Sequence, residues 1–472
     1  MRAKELLEKV GYSIEVDFEI NDLIMDSRLV RNNDIFIALK GALFDGHDFI
    51  DEAIKKGAKL IIAEREVIGY PYVLIEDISK VMASLAYYFY GQPSDSLRFI
   101  GVTGTNGKTS CSSLIYQSLS LLKEPACLIG TDGLYYYPDG FVQLANTTPD
   151  ALVLMKNLKK MKDLGIKTII MEVSSHALAL GRVQNIEFDI AIYTNLTQDH
   201  LDFHKDMEDY FLTKSLLFSN LKSEAYAVIN ADDSYGKRLI ELNNGKALTY
   251  SVDNISDFKA TNLKLDMYET TYNLDNKEIK TDLLSIANVY NSLSTYIVLK
   301  ILGYDSDLII SLMSKLTPVA GRLDKVYNKD YLACVDYAHT PAGMENILEF
   351  LKKIKRNRVI TVIGCGGDRD KSKRPIMGDI ACRLSDVVIF TSDNPRTEKP
   401  EAILEDITTQ LNYPNYCVIV DRRKAINKAI SLAEKDDIIT VLGKGHEDYQ
   451  IIGTTKRPFS DKEEILKAVG EI

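Results

Sequence analysis

The sequence predicts an α/β protein of three domains: a small α/β N-terminal domain, then a central and a C-terminal domain that are each built on a parallel sheet. Three observations carry this prediction. Short apolar runs alternate with helical stretches, the pattern of strands joined by helical crossovers. In the last third of the chain each apolar run ends in Gly, Asp or Asn, where the carboxyl ends of strands face a ligand crevice. Two turn-rich breaks, GQPSDS at 91–96 and LTPVAGRLDKV at 316–326, divide the chain into 1–95, 96–318 and 319–472. A chain of 472 residues has room for two to four domains at roughly 100–200 residues each.

In the first domain DIFIAL (34–39), AKLIIAE (58–64) and YVLIE (72–76) are expected strands, and GALFDGH (41–47) is a glycine-punctuated loop. VMASLAYYFYG (81–91) has helical spacing and ends at glycine. The central domain opens with LRFIGVTG, a strand running into a glycine turn, followed by the helix TSCSSLIYQSLSLL. IKTIIMEV (166–173), FDIAIYTN (188–195) and AYAVIN (225–230) are its further strands. Residues 245–285 alternate polar and apolar positions and are expected to form an antiparallel flap or edge. After the second break come YLACVDYA, RVITVIGCGG, DVVIFTSDNP, YCVIVDRR and DIITVLGKG. Helical stretches such as AGMENILEFLKKI (342–354) and KAINKAISLAE (424–434) separate them, giving a Rossmann-like, doubly wound sheet.

Hydrophobic residues make up 46% and charged residues 26% of the chain, so its domains can bury cores without disulfide or metal staples. The net charge of −10 argues against a nucleic-acid partner and against a basic membrane-surface protein. MRAKELLEKVGYSIEVD lacks the apolar core of a signal peptide, and no run approaches the roughly 18 apolar residues of a membrane span. The six cysteines are scattered without a CxxC pair and read as reduced, small buried hydrophobes. A cytoplasmic location is expected.

The strongest chemical signal is GVTGTNGKTS at 101–110. A strand feeds Gly104, Thr105, Asn106 and Gly107, and a helix starts at Lys108 and Thr109, followed by Ser110. Backbone N–H groups and the helix N-terminus can cradle phosphate oxygens there. Lys108 can reach the β/γ-phosphates and the Thr109 hydroxyl can ligate Mg²⁺, as in a P-loop ATPase-type domain. The match to GxxxxGK[ST] is loose, because Val102 stands where glycine is expected and Gly101 lies one place early. IIMEV ends in Glu172, a fixed oxygen suited to Mg²⁺, although a capping or solvated carboxylate reads the same way. TNLTQDHLDFH places Asp199, His200, Asp202 and His204 just past another strand. Mg²⁺ prefers oxygen, so satisfied loop histidines remain an equal alternative for that cluster.

Taken together, GTNGKTS, MEVSSHAL, NLTQDHLDFH, YFLTKSLLF, NVYNSLS, VAGRLD and VDYAHTP resemble the Mur ligase family. DSR (26–28), GALFDGH, GCGGDRDKSKRP, SDNPRTEKP and GKGHEDYQ extend the resemblance to nearly the whole chain. The resemblance implies a UDP-binding first domain, an ATP-binding central domain and an amino-acid-binding C-terminal domain. It implies an ATP-dependent ligase that joins an amino acid to UDP-N-acetylmuramoyl-L-alanyl-D-glutamate through an acyl phosphate, in peptidoglycan precursor synthesis, with no nucleic acid or membrane span involved and a monomer expected. Two Mg²⁺ ions are implied, with Thr109, Glu172, His200 and Lys214, the last as a carbamate, as ligands. From the residues alone, Lys214 reads as a helix-surface lysine. Asn291, Arg322 and Asp336 match positions contacting ATP, and Arg322, near the second break, is expected to act only on closure. Ser27, the 42–44 loop, Asn146, Thr147, Thr148, Ser174 and Arg182 match the UDP-sugar and peptide side. Leu180 departs from the glutamine some relatives carry, and Ser110 from a frequent threonine.

SDNPRTEKP (392–400) looks like the form found in members that add meso-diaminopimelate. Arg396 can grip that amino acid's distal carboxylate with two parallel hydrogen bonds, and an unpaired Arg396 penalises lysine. Arg369, Asp393, Asn394, Pro395, Gly443 and Glu447 match the rest of this pocket. Lysine or a sulfur-bridged diamino acid remains the alternative substrate. A folylpolyglutamate synthase-like ligase and a nucleotide-dependent switch are the more distant readings.

Overall fold

The computed structural model describes residues 1–41 and 44–472. Ala42 and Leu43, in the loop expected near the UDP moiety, lie outside the described residues. The chain forms two compact units, Met1–Lys259 with Ser294–Leu302, and Ala260–Leu293 with Gly303–Ile472.

In the first unit, four parallel strands pair in chain order: Leu23–Ile24, Ile35–Ala38, Leu60–Ala63 and Tyr72–Leu74. Their side chains alternate between two cores, as a pleated strand requires. Ile35, Ile37, Leu60 and Ile62 face one core, and Phe36, Ala38, Ile61 and Ala63 face the other. The first of these cores also holds Phe99, Ile169 and Ala191 of the next sheet, together with Met82 and Leu85 of the helix Ile78–Phe89. GQPSDS is an ordered turn: Pro93–Ser96 is a 3₁₀ helix with Pro93 and Ser94 buried.

The second sheet of this unit has nine strands. Its order is Phe258–Lys259, Lys246–Ser251, Tyr226–Asn230, Ile190–Tyr193, Arg98–Thr103, Thr168–Glu172, Ala126–Gly130, Gly133–Tyr136 and Gly140–Val142. The first seven are parallel, Gly133–Tyr136 turns back antiparallel to them, and Gly140–Val142 is antiparallel to Gly133–Tyr136 in turn. The expected strands are all present, and that antiparallel edge is added to the parallel sheet expected from the sequence. Arg98–Thr103 sits between Ile190–Tyr193 and Thr168–Glu172. The glycine loop therefore leaves the sheet with Glu172 on one side and TNLTQDH on the other.

In the second unit Thr261–Leu265, Thr270–Leu274 and Lys277–Thr281 form an antiparallel sheet, as the alternation in 245–285 suggested. Lys246–Ser251 in the same stretch instead extends the nine-stranded sheet in parallel. A six-stranded sheet follows, in the order Asp324–Asn328, Leu332–Asp336, Ile438–Leu442, Val359–Ile363, Val387–Phe390 and Tyr416–Val418. Only Asp324–Asn328 is antiparallel. Leu332, Cys334 and Val359 bury into one face, and Ala333, Val335 and Ile360 into the other. The last parallel strand inserts between the first two, so strand order reverses there and opens a crevice at the carboxyl ends. Thr340 starts the helix Pro341–Ile354: its hydroxyl accepts from the Gly343 N–H at 3.3 Å, and Pro341 fills the first turn.

Five of the six cysteines are buried and Cys417 is exposed. Among the described residues no helix is long and apolar enough to cross a membrane.

Candidate functional site

The glycine loop runs into Lys108–Leu121, where the sequence places the helix start. Gly104 has φ +147°, and a Cβ there would lie 1.9 Å from Thr194 Oγ1, so the turn demands glycine. The loop is braced by TNLT. Asn195 accepts from the Thr105 N–H with its carbonyl at 2.8 Å and from the Asn106 N–H with its side chain at 3.0 Å. Thr194 Oγ1 donates to the Asn106 carbonyl at 2.7 Å, and the Thr197 N–H donates to Thr105 Oγ1 at 3.0 Å. Sequence reasoning assigned no role to Thr194, Asn195 or Thr197; their position right after a strand adjacent to the loop was the available signal.

Lys108 Nζ donates to the Gly104 and Thr105 carbonyls at 2.9 Å each. Ser110 follows in the helix's first turn. Glu172 is buried and is no solvated carboxylate. Its Oε2 accepts from Thr109 Oγ1 at 3.0 Å and from Thr131 Oγ1 at 3.1 Å, and its Oε1 accepts from the Thr131 N–H at 2.9 Å. Burial raises its carboxyl above the ordinary range, against the pull of the Thr131 N–H and the Lys108 charge. Thr131 is a residue the sequence reading missed.

Lys214 is 2% exposed, which removes the helix-surface reading. Its Nζ donates to the Gly104 carbonyl at 3.0 Å and lies 4.6 Å from the centre of the Tyr210 ring. Burial, reinforced by the Lys108 charge, pushes its amine well below the ordinary lysine value. His200 has φ +53° and packs edge-on to His176 with ring centres 5.0 Å apart. His204 is buried and meets Ser175 Oγ at 2.9 Å, as a satisfied histidine does.

Among the described residues no three His, Cys, Asp or Glu side chains gather into a metal site. The donors present are the joined oxygens of Thr109 and Glu172, which suit a hard cation. A lysine ammonium does not suit one, whereas a carbamate at Lys214, whose amine burial pushes toward its neutral form, would.

Around the same strand end the structure brings together Thr147, Thr148, Ser174 and Arg182. Thr148 Oγ1 donates to the Glu172 carbonyl at 2.8 Å, and Arg182 donates to the Thr148 carbonyl at 2.8 Å. Thr147 Oγ1 meets Thr131 Oγ1 at 3.1 Å, and Ser174 caps the helix Ser175–Ala179. Asn146 is exposed beside them in sequence. Ser27 lies elsewhere, in the turn Ser27–Leu29, with its hydroxyl donating to Glu52 at 2.7 Å.

In the second unit, Asn291 is buried in the helix Ile286–Ile301 and donates to Asn288 Oδ1 at 3.2 Å. Asp336 ends its strand and accepts from the Leu323 and Ala338 N–H groups at 2.8 Å each. Burial raises its carboxyl above the ordinary range. Asp336 thus folds AGRLD back onto the sheet. The exposed Arg322 holds its guanidinium 5.5 Å from the Tyr337 ring centre.

A cavity of about 240 Å³ opens at the carboxyl ends of the parallel strands of the six-stranded sheet. Arg369, Asp393, Asn394, Arg396, Gly443 and Glu447 line it, all expected from the sequence. Pro395 is held beneath, its carbonyl packed on Gly367. Tyr337, Thr340 and Lys373 also line the cavity and were missed. So was Lys444, fully buried inside GKGHE. Lys444 Nζ donates to Glu447 at 2.8 Å and to Asn394 Oδ1 at 3.2 Å. Asn394 Nδ2 donates to the same Glu447 oxygen at 2.8 Å. Burial opposes ionisation of Glu447, but Lys444 and Asn394 hold its carboxyl below the ordinary value. Asp393 is raised by burial, against the charges of Arg422 and Lys444.

Below the cavity, Arg422 and Asp461 form an ion pair with both side chains 0% exposed, closing at 2.6 Å. Arg422 also donates to the Ser392 carbonyl at 3.3 Å and the Leu442 carbonyl at 3.0 Å, joining the strand ends that carry Asp393 and Gly443.

Comparison with known proteins agrees with this architecture. Family models match along the chain: "Mur ligase family, catalytic domain" over residues 19–90, "Mur ligase middle domain" over 102–299 and "Mur ligase, glutamate ligase domain" over 321–445. A protein of Clostridium tetani named UDP-N-acetylmuramoyl-L-alanyl-D-glutamate–2,6-diaminopimelate ligase is 41% identical, covering 100% of both chains. A Bacillus cereus protein of the same name is 41% identical over 96% of this chain and 94% of its own. A solved structure of a ligase with that name superposes with a TM-score of 0.76 at 33% identity, covering 98% of each chain. With a glycine loop braced beside Glu172, a polar crevice at the strand ends and full-length identity of this order, the chain belongs to the Mur ligase family.

Proposed function

We propose that the chain is an ATP-dependent, ADP-forming ligase that adds meso-diaminopimelate to the D-glutamyl γ-carboxylate of UDP-N-acetylmuramoyl-L-alanyl-D-glutamate. The observation that carries the reading is the DNPR and GKGHE cavity, where Arg396 and Glu447 offer opposite charges to a zwitterionic diamino acid. Relatives with that activity in their names, alignable over the whole chain, support it. The work takes place in the cytoplasm on a soluble nucleotide-linked precursor, and the protein acts as a monomer. The family-model limits support the division into 1–95 for the UDP-substrate, 96–318 for ATP and 319–472 for the amino acid.

A carboxylate is a poor electrophile, so its oxygen attacks the γ-phosphorus of ATP and ADP leaves. The amine nitrogen of the incoming amino acid then attacks the acyl carbon, phosphate leaves and the amine loses a proton. The chain's task is to bring anions together and to orient them. Backbone N–H groups from Gly107 to Ser110, at the helix start, face the triphosphate, while those of Thr105 and Asn106 stay on Asn195, and Lys108 moves from its loop carbonyls to the phosphates. Thr109, Glu172, His200 and a carbamylated Lys214 would hold Mg²⁺, which would supply charge neutralisation between the two anionic reactants. The neutral amine, toward which burial pushes Lys214, is the form whose nitrogen adds to carbon dioxide, releasing one proton to leave the carbamate anion. Asn291 and Asp336 hold the nucleotide, and Arg322 reaches the phosphates on closure. Ser27, Asn146, Thr147, Thr148, Ser174 and Arg182 hold the UDP-substrate. Arg369, Asp393, Asn394, Pro395, Arg396, Gly443 and Glu447 form the amino-acid seat.

Offering diaminopimelate, lysine and lanthionine separately, with the UDP-dipeptide and ATP, tests this. Product mass shows which is joined, and hydroxylamine traps the acyl phosphate. Phosphate release that depends on neither acceptor would point to a simple ATPase instead.

A further inference from the structure

Arg396 is held in an unusual backbone state. Its φ is +51°, a region that costs a side-chain-bearing residue about 1 kcal/mol or more. The Arg396 N–H donates to the Ile451 carbonyl at 3.1 Å, and the Gly453 N–H donates back to the Arg396 carbonyl at 2.7 Å. The hairpin of Tyr449–Ile452 and Thr455–Pro458 thus grips the residue from one side. Across the cavity mouth, Arg396 Nη1 donates to the Gly367 carbonyl at 2.7 Å. A Cβ on Gly367 would fall 1.9 Å from the Pro395 carbonyl oxygen, so the GGDRDK and DNPRTE loops touch backbone to backbone there.

Beyond that contact the two loops clasp each other with carboxylates pointing in opposite directions. Asp368 accepts from the Thr397 N–H at 3.2 Å and from Thr397 Oγ1 at 2.6 Å. Glu398 returns the contact, accepting from the Asp368 N–H at 2.6 Å. Arg374, fully buried, donates to both Glu398 oxygens at 2.8 and 3.0 Å and to Asp406 at 2.7 Å, and Lys371 pairs with Glu398 at 3.1 Å. Arg374 holds the Glu398 carboxyl down at about 2, so this anchor stays charged at any working pH. None of Asp368, Arg374, Thr397 and Glu398 lines the cavity.

We infer that this clasp of Asp368, Thr397 and Glu398, anchored by Arg374, is a positioning device that aims Arg396 and thereby sets selectivity for an amino acid with a distal carboxylate. The inference rests on the diaminopimelate reading above. An arginine recognises a carboxylate bidentately only when its plane is fixed, and a loose one is a point charge that lysine's bare chain end tolerates. The clasp fixes the two loops on either side of the guanidinium, whereas Arg396 alone has long rotamer freedom to lose.

The test is full steady-state kinetics of Glu398→Gln and Thr397→Val with diaminopimelate and with lysine, alone and in an Arg396→Ala background. Thr397 is exposed, so its variant keeps the fold even if removing the Glu398 charge does not. We expect KM for diaminopimelate to rise about tenfold in Glu398→Gln, which loses the ion pair with Arg374, and about threefold in Thr397→Val, which loses one hydroxyl bond to the Asp368 carboxylate. The kcat and the KM values for ATP, the UDP-substrate and lysine stay unchanged. In the Arg396→Ala background neither substitution adds anything, because both act through the missing side chain. Equal losses with lysine, full additivity with Arg396→Ala, or no change in a diaminopimelate-selective protein overturns the inference alone. A wild-type protein that joins lysine as readily as diaminopimelate overturns the functional reading, and this inference with it.

Discussion

Thr109 Oγ1 donates to Glu172 Oε2 at 3.0 Å, joining the first turn of the loop helix to the end of the neighbouring strand at one buried oxygen. Glu172→Gln preserves the volume and removes the charge. Turnover is expected to fall at least about 100-fold, the cost of one electrostatic partner in a phosphoryl-transfer site. Burial raises the Glu172 carboxyl, so the native chain keeps that proton to higher pH than the unfolded chain does. Its contribution is present below the unfolded value and is lost as pH rises through the folded one. Glu172→Gln therefore melts no lower than wild type at neutral pH. Phosphate release and thermal melts check both halves.

Lys214 has the opposite sign. Its amine is pushed well below the ordinary value of 10.5, so between those two points the unfolded chain binds a proton that the native chain lacks. Stability therefore rises with pH across that window. In buffer stripped of carbon dioxide, Lys214→Met is expected to melt higher at neutral pH, with a flatter pH dependence, by about 2–4 °C per kcal/mol if its domain of roughly 150–250 residues melts as a unit. The same variant is expected to be inactive. Calorimetry across pH, beside a turnover assay, shows whether the gain and the loss occur together.

Arg322 is exposed, and its guanidinium rests over Tyr337. Arg322→Ala is expected to lower kcat by about 100-fold while ATP affinity changes by less than about threefold, the signature of a contact made only in the closed state. Isothermal titration with a non-hydrolysable ATP analogue supplies the second number. Comparable losses in both would refute a gating role.

The Arg422–Asp461 pair is fully enclosed. Removing one partner strands the other, so Asp461→Asn is expected to cost about 3–5 kcal/mol of unfolding free energy. Because Arg422 also holds the Ser392 and Leu442 carbonyls, KM for the amino acid should rise in any variant that still folds. Urea unfolding followed by circular dichroism measures the first effect.

The strands of both parallel sheets were legible because residues buried on both faces leave continuous apolar runs, as in VITVI and IITVL. The site residues were legible where they sit on motifs at strand ends, so Arg369, Asp393, Asn394, Arg396, Gly443 and Glu447 emerged together around one cavity. Ala126–Gly130 was passed over because five apolar residues after the short turn KEP carry little periodicity. Thr131 and Arg422 were not legible as partners, since each matters through contacts with residues far away in sequence, and Lys444 was not because its burial against both Glu447 and the distant Asn394 is a product of packing. The enclosure of Lys214 is likewise a property of packing: YFLTKSLLF is apolar nearly all round, which leaves no helical face to distinguish.

Thr194 and Asn195 already hold the glycine loop in its folded shape through its backbone groups, and Thr197 through the Thr105 hydroxyl. A triphosphate arriving there meets a receptacle that needs little ordering, so the entropic penalty of association is small on the protein side. Nucleotide capture should accordingly be fast and weakly temperature-dependent, leaving the slow, temperature-sensitive steps to later events in the cycle.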